Sequence, residues 1–294
     1  MYSPQVSVII PTYKRVNELV LAINSVINQT YKNIEIIVVD DNGDNDYSLK
    51  VRDIVESYCN NNIKLITYKG NKNGAFARNQ GILNANGEFI SFLDDDDIYL
   101  ETKIEKQVNY LINNKSKFSG VYCKMQNNKS KNFTYVEGDL SLQILKNISL
   151  LPTPTLLLFK NAILDIECFD ENLLRHQDYD LMLRYFEKYK IGFVDEFLVI
   201  QGPNDGSNML VSSKLEEMKS YFLNKFKKYI DKQDYQDRRD IYFANYYSIF
   251  IASLKDLNFR LITKYSIKCF IISPFNFLGK SFKKIISIIK KKTN

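Results

Sequence analysis

Four short apolar runs, Val6 to Ile10, Ile34 to Val39, Ile63 to Tyr68 and Phe89 to Leu93, punctuate the first hundred residues. Between them lie helix-period segments: Val16 to Gln29 sets Leu19, Ile23, Val26 and Ile27 on one face, and Leu49 to Tyr58 and Ala75 to Ala85 continue the alternation. Strands alternating with helices close by right-handed crossovers onto a mostly parallel sheet flanked by helices, an α/β fold. Strands covered on both faces are continuously apolar rather than alternating, and these runs are.

In an open parallel sheet, ligands gather beyond the carboxyl ends of the strands. The four runs are followed by "PTYKR", "DDNGD", "GNKNGAFARN" and "DDDD". Loops rich in carboxylate, glycine and arginine therefore converge on one edge, the expected active site. Adjacent carboxylates repel and raise one another's pKa, so Asp94 to Asp97 need a cation. Mg2+ or Mn2+ suits them, because these ions take oxygen ligands and commonly only one or two protein carboxylates. A calcium loop is excluded by the missing central glycine in "DDDDIYLETKIE". Asp97 or Thr102 also qualifies as a cap for the next helix, which carries Ile104, Val108, Leu111 and Ile112. The chain has neither a G-x-x-x-x-G-K-[ST] phosphate loop nor a G-x-G-x-x-G after its first strand, which disfavours ordinary NTPases and dinucleotide dehydrogenases.

Charge is unevenly distributed. Residues 211 to 294 hold 18 Lys+Arg against 7 Asp+Glu, net +11, while residues 1 to 210 hold 22 against 27, net −5. A nucleic-acid binder of uniform basicity is not indicated. The division predicts a catalytic domain over 1–210 and a helical region over 211–294. Its last stretch puts Leu278, Phe282, Ile285, Ile286 and Ile289 on one face and Lys280, Lys283, Lys284 and Lys290 to Lys292 elsewhere, a basic amphipathic helix suited to an anionic membrane surface. Cys59, Cys123, Cys168 and Cys269 lie far apart without a C-x-x-C pair, so a reducing compartment is expected. No secretory signal or spanning apolar run is read, giving an expected cytoplasmic location, peripheral on the inner face of the membrane.

Five motifs, "VSVIIPTYKR", "IEIIVVDDNGD", "NKNGAFARNQGI", "GEFISFLDDDDIY" and "FDENLLRHQDYDLMLRYF", resemble in order and spacing the inverting glycosyltransferases of family 2, nucleotide-sugar transferases of GT-A fold. The resemblance spans roughly Ser7 to Asn208. It implies that Pro11, Thr12, Tyr13 and Arg15 line the nucleotide pocket, that Asp40, with Asp41 left open, meets uracil or ribose, and that Arg78 approaches the diphosphate. Asp94 and Asp96 match the family's D-x-D, Asp96 as direct metal ligand and Asp94 nearer the ribose, with Asp95 at the variable middle position. Asp178 matches the general base, the alternative being a helix N-cap. Asp180 and Arg184 are read as local support, and His176 as scaffold or acceptor contact.

The implied partners are a nucleotide-sugar donor, UDP-linked, a glycan or lipid-linked acceptor of surface polysaccharide synthesis, and Mn2+ or Mg2+. Two departures stand out. "VIQGPNDGSNM" lacks the histidine many relatives carry there, and the Q-x-x-R-W signature of processive synthases is missing, which implies transfer of one sugar. A nucleotidyltransferase and an inactive membrane-associated scaffold remain the competing readings.

Overall fold

The computed structural model describes residues 2–59, 62–126, 135–148, 151–173, 175–203 and 211–281. The first crossovers run β1 (Val6–Thr12), α1 (Val16–Ile27), β2 (Ile34–Asp40), α2 (Asp46–Ser57), β3 (Ile63–Thr67), α3 (Gly74–Asn84) and β4 (Phe89–Phe92). There follow β5 (Ile98–Tyr99), α4 (Lys103–Asn114), β6 (Gly120–Gln126), α5 (Ser141–Leu145), β7 (Leu156–Phe159), α6 (Lys160–Asp165), α7 (Gln177–Phe186) and β8 (Ile191–Ile200). Then come α8 (Ser212–Lys225), α9 (Lys227–Asp231), α10 (Tyr235–Lys255) and α11 (Phe259–Ile272).

The strands form one sheet in the order β3-β2-β1-β4-β7-β6-β8-β5. From β3 to β4 the neighbours are parallel, as crossovers require. Beyond β4 the sheet is mixed: β7 runs antiparallel to β4 and β6, β6 and β8 are parallel, and the short β5 is antiparallel to β8. Every residue of β2 is buried, and only Pro11 of β1 is partly exposed, as strands covered on both faces demand.

On one face of the sheet Val6, Val8 and Ile10 pack with Leu19, Ile23 and Val26 of α1 and with Ile104, Val108 and Leu111 of α4. On the other face α3 sits so close that a Cβ on Gly81 would lie 2.4 Å from Ile9 Cγ2. That approach fixes the start of α3 beside the strand ends. Asn45 and Asn73 cap α2 and α3 by accepting from the backbone N–H groups of Tyr47 and Ser48, and of Ala75 and Phe76. Helix α4 has no such cap. Thr102 makes no capping bond, and the Asp97 carboxylate accepts instead from Gly202 N at 2.9 Å, so neither residue caps the helix.

Residues group into two compact units, Met1–Ser141 with Ser149–Pro203, and Leu142–Ile148 with Asn204–Asn294. The second unit contains most of α5 and the helices from α8 onward. Within it Lys146 pairs with Asp237 at 2.6 Å and Asp240 at 3.4 Å, and Asn245 Nδ2 donates to Leu145 O at 3.0 Å. Residues 274–281 are helical; the basic amphipathic face expected from Phe282 onward, like residues 204–210, lies outside the described residues. Among the described residues no helix is long and apolar enough to cross a membrane.

Candidate active site

The loop after β4 is the centre of the site. Asp95 is its anchor: it is 6% exposed and accepts from Thr12 Oγ1 at 2.9 Å, Tyr13 N at 3.2 Å and Arg15 Nη1 at 3.1 Å. These bonds tie the end of β1 to the end of β4. Burial pushes the Asp95 carboxyl up to about 6, with Thr12 and Arg15 opposing. Arg15 Nη1 also lies 2.6 Å from Asp96 Oδ2, so one guanidinium bridges neighbouring aspartates.

Asp94 meets a second guanidinium, with Arg78 Nη2 at 2.5 Å from its Oδ1. Arg78 Nη1 donates to Gln177 Oε1 at 3.2 Å, and its buried Nε–H has no hydrogen-bond partner. Asp97, buried and close to three other carboxylates, is pushed up to about 8 by burial first and Asp94 next. Asp96 is also raised, by burial and Asp94 against the pull of Arg15.

The second strand end behaves differently. Asp40 Oδ1 accepts from Asn42 N at 2.9 Å and Asn42 Nδ2 at 2.6 Å, and its Oδ2 from Ser48 Oγ. Asp41 receives four donors, Tyr68 Oη at 2.9 Å, Asn71 Nδ2 at 2.8 Å, Lys72 N at 2.7 Å and Asn73 N at 3.2 Å. It folds the 68–73 loop against β2. Gly43, at φ +74, is required there, since a Cβ would stand 2.8 Å from Gly70 N.

His176 adopts the left-handed conformation, φ 57, and stacks on Tyr179 with ring centroids 4.9 Å apart. That turn starts α7 with Gln177 and Asp178 in its first turn, so Asp178 lies inside the helix and is not its N-cap. Its Oδ1 accepts from Tyr179 N at 3.0 Å. Burial pushes the Asp178 carboxyl up to about 6, opposed by Tyr179 N and the charge of Arg78. Two residues on, Asp180 is fully buried and receives Arg184 Nε at 2.9 Å and Nη2 at 2.8 Å, while Arg184 Nη2 also donates to Cys168 O at 2.6 Å. This pair fixes the α6–α7 connection under the site.

Arg78, Asp94 and Asp178 line one cavity of about 230 Å³, joined by Asp97, Gln177 and the Pro152–Pro154 turn. Pro11, Thr12, Tyr13, Arg15, Asp40, Asp41, Asp95 and Asp96 do not line it. Sequence reasoning missed Gly202, whose backbone packs so tightly on Asp96 that a Cβ would fall 1.9 Å from the Asp96 carbonyl oxygen. It also missed Asn79, which exchanges hydrogen bonds with Phe169 at 2.9 Å in each direction and holds α3 to the loop before α7.

Among the described residues no three His, Cys, Asp or Glu side chains are arranged to enclose a metal ion. A Mg2+ or Mn2+ site needs fewer, because water and phosphate oxygens complete it. The donors here are carboxylate oxygens; burial first, and neighbouring carboxylates next, raise the proton affinity of Asp96 and Asp97. That chemistry fits a hard divalent cation.

A crossover sheet whose β4 loop brings Asp94 and Asp97 into one cavity with Arg78 of α3 and Asp178 of α7 has the frame of a GT-A glycosyltransferase. The sequence model of glycosyl transferase family 2 matches residues 7–182, and the chain belongs to that family. It is similar to an uncharacterised glycosyltransferase of Rickettsia prowazekii, 36% identical over 244 residues, which are 78% of this chain and 74% of the relative. A Rickettsia conorii relative is 37% identical over 240 residues, 74% of this chain but only 39% of that longer protein. Escherichia coli WfgD, a UDP-Glc:alpha-D-GlcNAc-diphosphoundecaprenol beta-1,3-glucosyltransferase, is 37% identical over 125 residues, 42% of this chain and 48% of its own. Among solved structures, the Pyrobaculum calidifontis mannosyltransferase PcManGT with GDP-Man and Mn2+ shares the fold at TM-score 0.63 and 16% identity, covering 99% of this chain and 87% of that one. S. aureus TarS with UDP-GlcNAc shares it at TM-score 0.60 and 17% identity, covering 84% and 81%.

Proposed function

We propose that this glycosyltransferase moves one sugar, with inversion, from a UDP-linked donor to a hydroxyl of a glycan or lipid-linked acceptor. The observation carrying the reading is that Asp178 shares a cavity with Arg78 and Asp94. Direct displacement needs a base on the side opposite the leaving group, the role we assign to Asp178. The acceptor hydroxyl gives its proton to an Asp178 carboxylate oxygen as its own oxygen bonds to the anomeric carbon. The bond from that carbon to the diphosphate oxygen breaks, and the nucleoside diphosphate departs with the electron pair.

Arg78 donates to the diphosphate oxygens, a role for which its fork of N–H groups is suited. Asp94 and Asp96 would hold Mn2+ or Mg2+, which when bound neutralises charge developing on the leaving group. Asp95 positions this loop through Thr12, Tyr13 and Arg15. Pro11, Thr12, Tyr13 and Arg15 form the nucleotide wall, and Asp40, with acceptor capacity beyond the bonds to Asn42 and Ser48, meets the ribose or base. Asp41 acts through the loop it holds. The UDP donor and lipid-linked acceptor are supported by what WfgD is named for, and the metal by Mn2+ in the PcManGT structure.

The test is thermal: UDP with Mn2+ raises the melting temperature of the parent, and Asp96→Ala abolishes the rise. An equal rise in the variant refutes the metal site. Turnover on a panel of nucleotide sugars then releases nucleoside diphosphate; release of pyrophosphate from an NTP identifies nucleotidyl transfer instead. The tail from Gly279 is our proposed contact with the inner membrane face, in line with a lipid-borne acceptor and a cytoplasmic, peripheral enzyme.

A further inference from the structure

Helix α11 buries one face and leaves the other bare. Leu261, Tyr265 and Cys269 pack with Phe243, Ile249 and Phe250 of α10. On the opposite side Phe259 and Ile271 are each 75% exposed, Ile267 55% and Phe270 50%. At ~100° per residue these four fall within about 120° of one another, an arc they share with the exposed Thr263 and Arg260, and Ile267, Phe270 and Ile271 cluster in its last turns. The helical residues after Ser273 add Phe275, 90% exposed, and Leu278.

The same face carries cations. Arg260 lies within the arc at its N-terminal end and Lys264 beside it, Lys264 already paired with Glu216 at 2.6 Å. From Leu257 to Asn294 the sequence contains nine Lys and Arg and not one Asp or Glu. Phenylalanine and isoleucine bordered by cations, with no acidic group over 38 residues, complement a surface that is hydrocarbon beneath and anionic above. An acidic protein partner accounts for the cations but gives no reason for a stripe of Phe and Ile in place of polar contacts.

We infer that the exposed face of α11, with Phe259, Ile267, Phe270 and Ile271 inserting and Arg260 and Lys264 meeting the headgroups, docks this protein on an anionic lipid bilayer. The inference stands apart from the catalytic reading; it shares with the tail the cations beyond Gly279, while its apolar contact is the face of α11.

The experiment uses the full chain, sedimented with vesicles of phosphatidylcholine alone or mixed with phosphatidylglycerol. The parent binds the mixed vesicles, weakly the neutral ones, and loses binding as salt rises. Phe270→Ser with Ile271→Ser, which keeps every charge, lowers the partition coefficient at least about tenfold. Because both side chains already face solvent, the variant keeps the parent's circular dichroism and melting temperature. Equal binding by the variant overturns the inference, as does a parent that ignores anionic vesicles. A parent that sediments as a dimer and a variant that sediments as a monomer would overturn it too, assigning the face to a second copy of the chain. Glycosyl transfer to a soluble acceptor is unchanged in the variant, which keeps this test separate from that of the catalytic reading.

Discussion

Replacing Asp178 by Asn separates catalysis from stability, and the two move in opposite directions. The carboxyl has an ordinary pKa of 3.8 and is pushed up to about 6 in the fold, by burial foremost. The folded protein thus holds this proton more tightly than the unfolded chain. The cost of keeping the group ionised is absent well below pH 4, grows as pH rises through the window between 3.8 and about 6, and is complete above it. The separation corresponds to about 3 kcal/mol at pH 7.5 and about half that at pH 5. Asparagine removes the charge and keeps an oxygen to accept from Tyr179 N, so Asp178→Asn should unfold at higher urea than the parent, with a larger margin at pH 7.5 than at pH 5. Turnover should fall by about two to four orders of magnitude, the span typical of a lost general base. In the parent, kcat/KM should climb about tenfold per pH unit below about 6 and level off above it, as ionised Asp178 accumulates. Urea unfolding at both pH values, with transfer rates on the same preparations, measures all of this. A variant that is less stable at pH 7.5 than the parent, or that transfers sugar at more than a tenth of its rate, refutes the assignment of Asp178 as a partly buried base.

Three further outcomes follow from the geometry. Gly202→Ala puts a methyl where the Asp96 carbonyl lies 1.9 Å away, so the carboxylate loop must shift; calorimetric affinity for UDP with Mn2+ should drop about tenfold or more, and an unchanged affinity would show that the loop gives way freely. Lys103 is fully buried, donates to Ser91 Oγ at 3.0 Å and Gln107 Oε1 at 2.8 Å, and is held down at about 8 against its ordinary 10.5 by desolvation. Its charged form costs about 3 kcal/mol below pH 8, relieved as pH rises toward 10.5; Lys103→Met, after the loss of a donor to Gln107, should be about 1–2 kcal/mol more stable at pH 7, the advantage vanishing near pH 10 in urea unfolding. Deleting residues from Gly279 onward should reduce co-sedimentation with anionic liposomes, and equal binding by the shortened chain would remove the tail from the membrane contact.

The amino-acid order alone carried the parallel half of the fold. Apolar runs that alternate with helical faces state which side of most elements is buried, and Val8, Ile23 and Ile37 are where that pattern puts them; Ile27 is exposed instead, and β3, read as covered on both faces, is an edge strand with no buried residue. It also carried the types of side chain at the strand ends, because a strand's last residues and the loop behind it are local facts. What it could not carry were pairings between distant segments. The reversal of β7 between β4 and β6, the bond from Gly202 to Asp97 across 105 residues, and the placing of Leu142–Ile148 with α10 depend on how far-apart backbones pack. Asp97 shows the difference: its sequence neighbours Asp94 to Asp96 already announced mutual repulsion, whereas the burial that raises its proton affinity most, and the Gly202 N–H that opposes it, come only with the fold. Periodicity is a property of a few consecutive residues, and so is legible in the chain; burial, ion pairing and proton affinity are properties of everything within a few ångströms, and only the folded protein decides what that is.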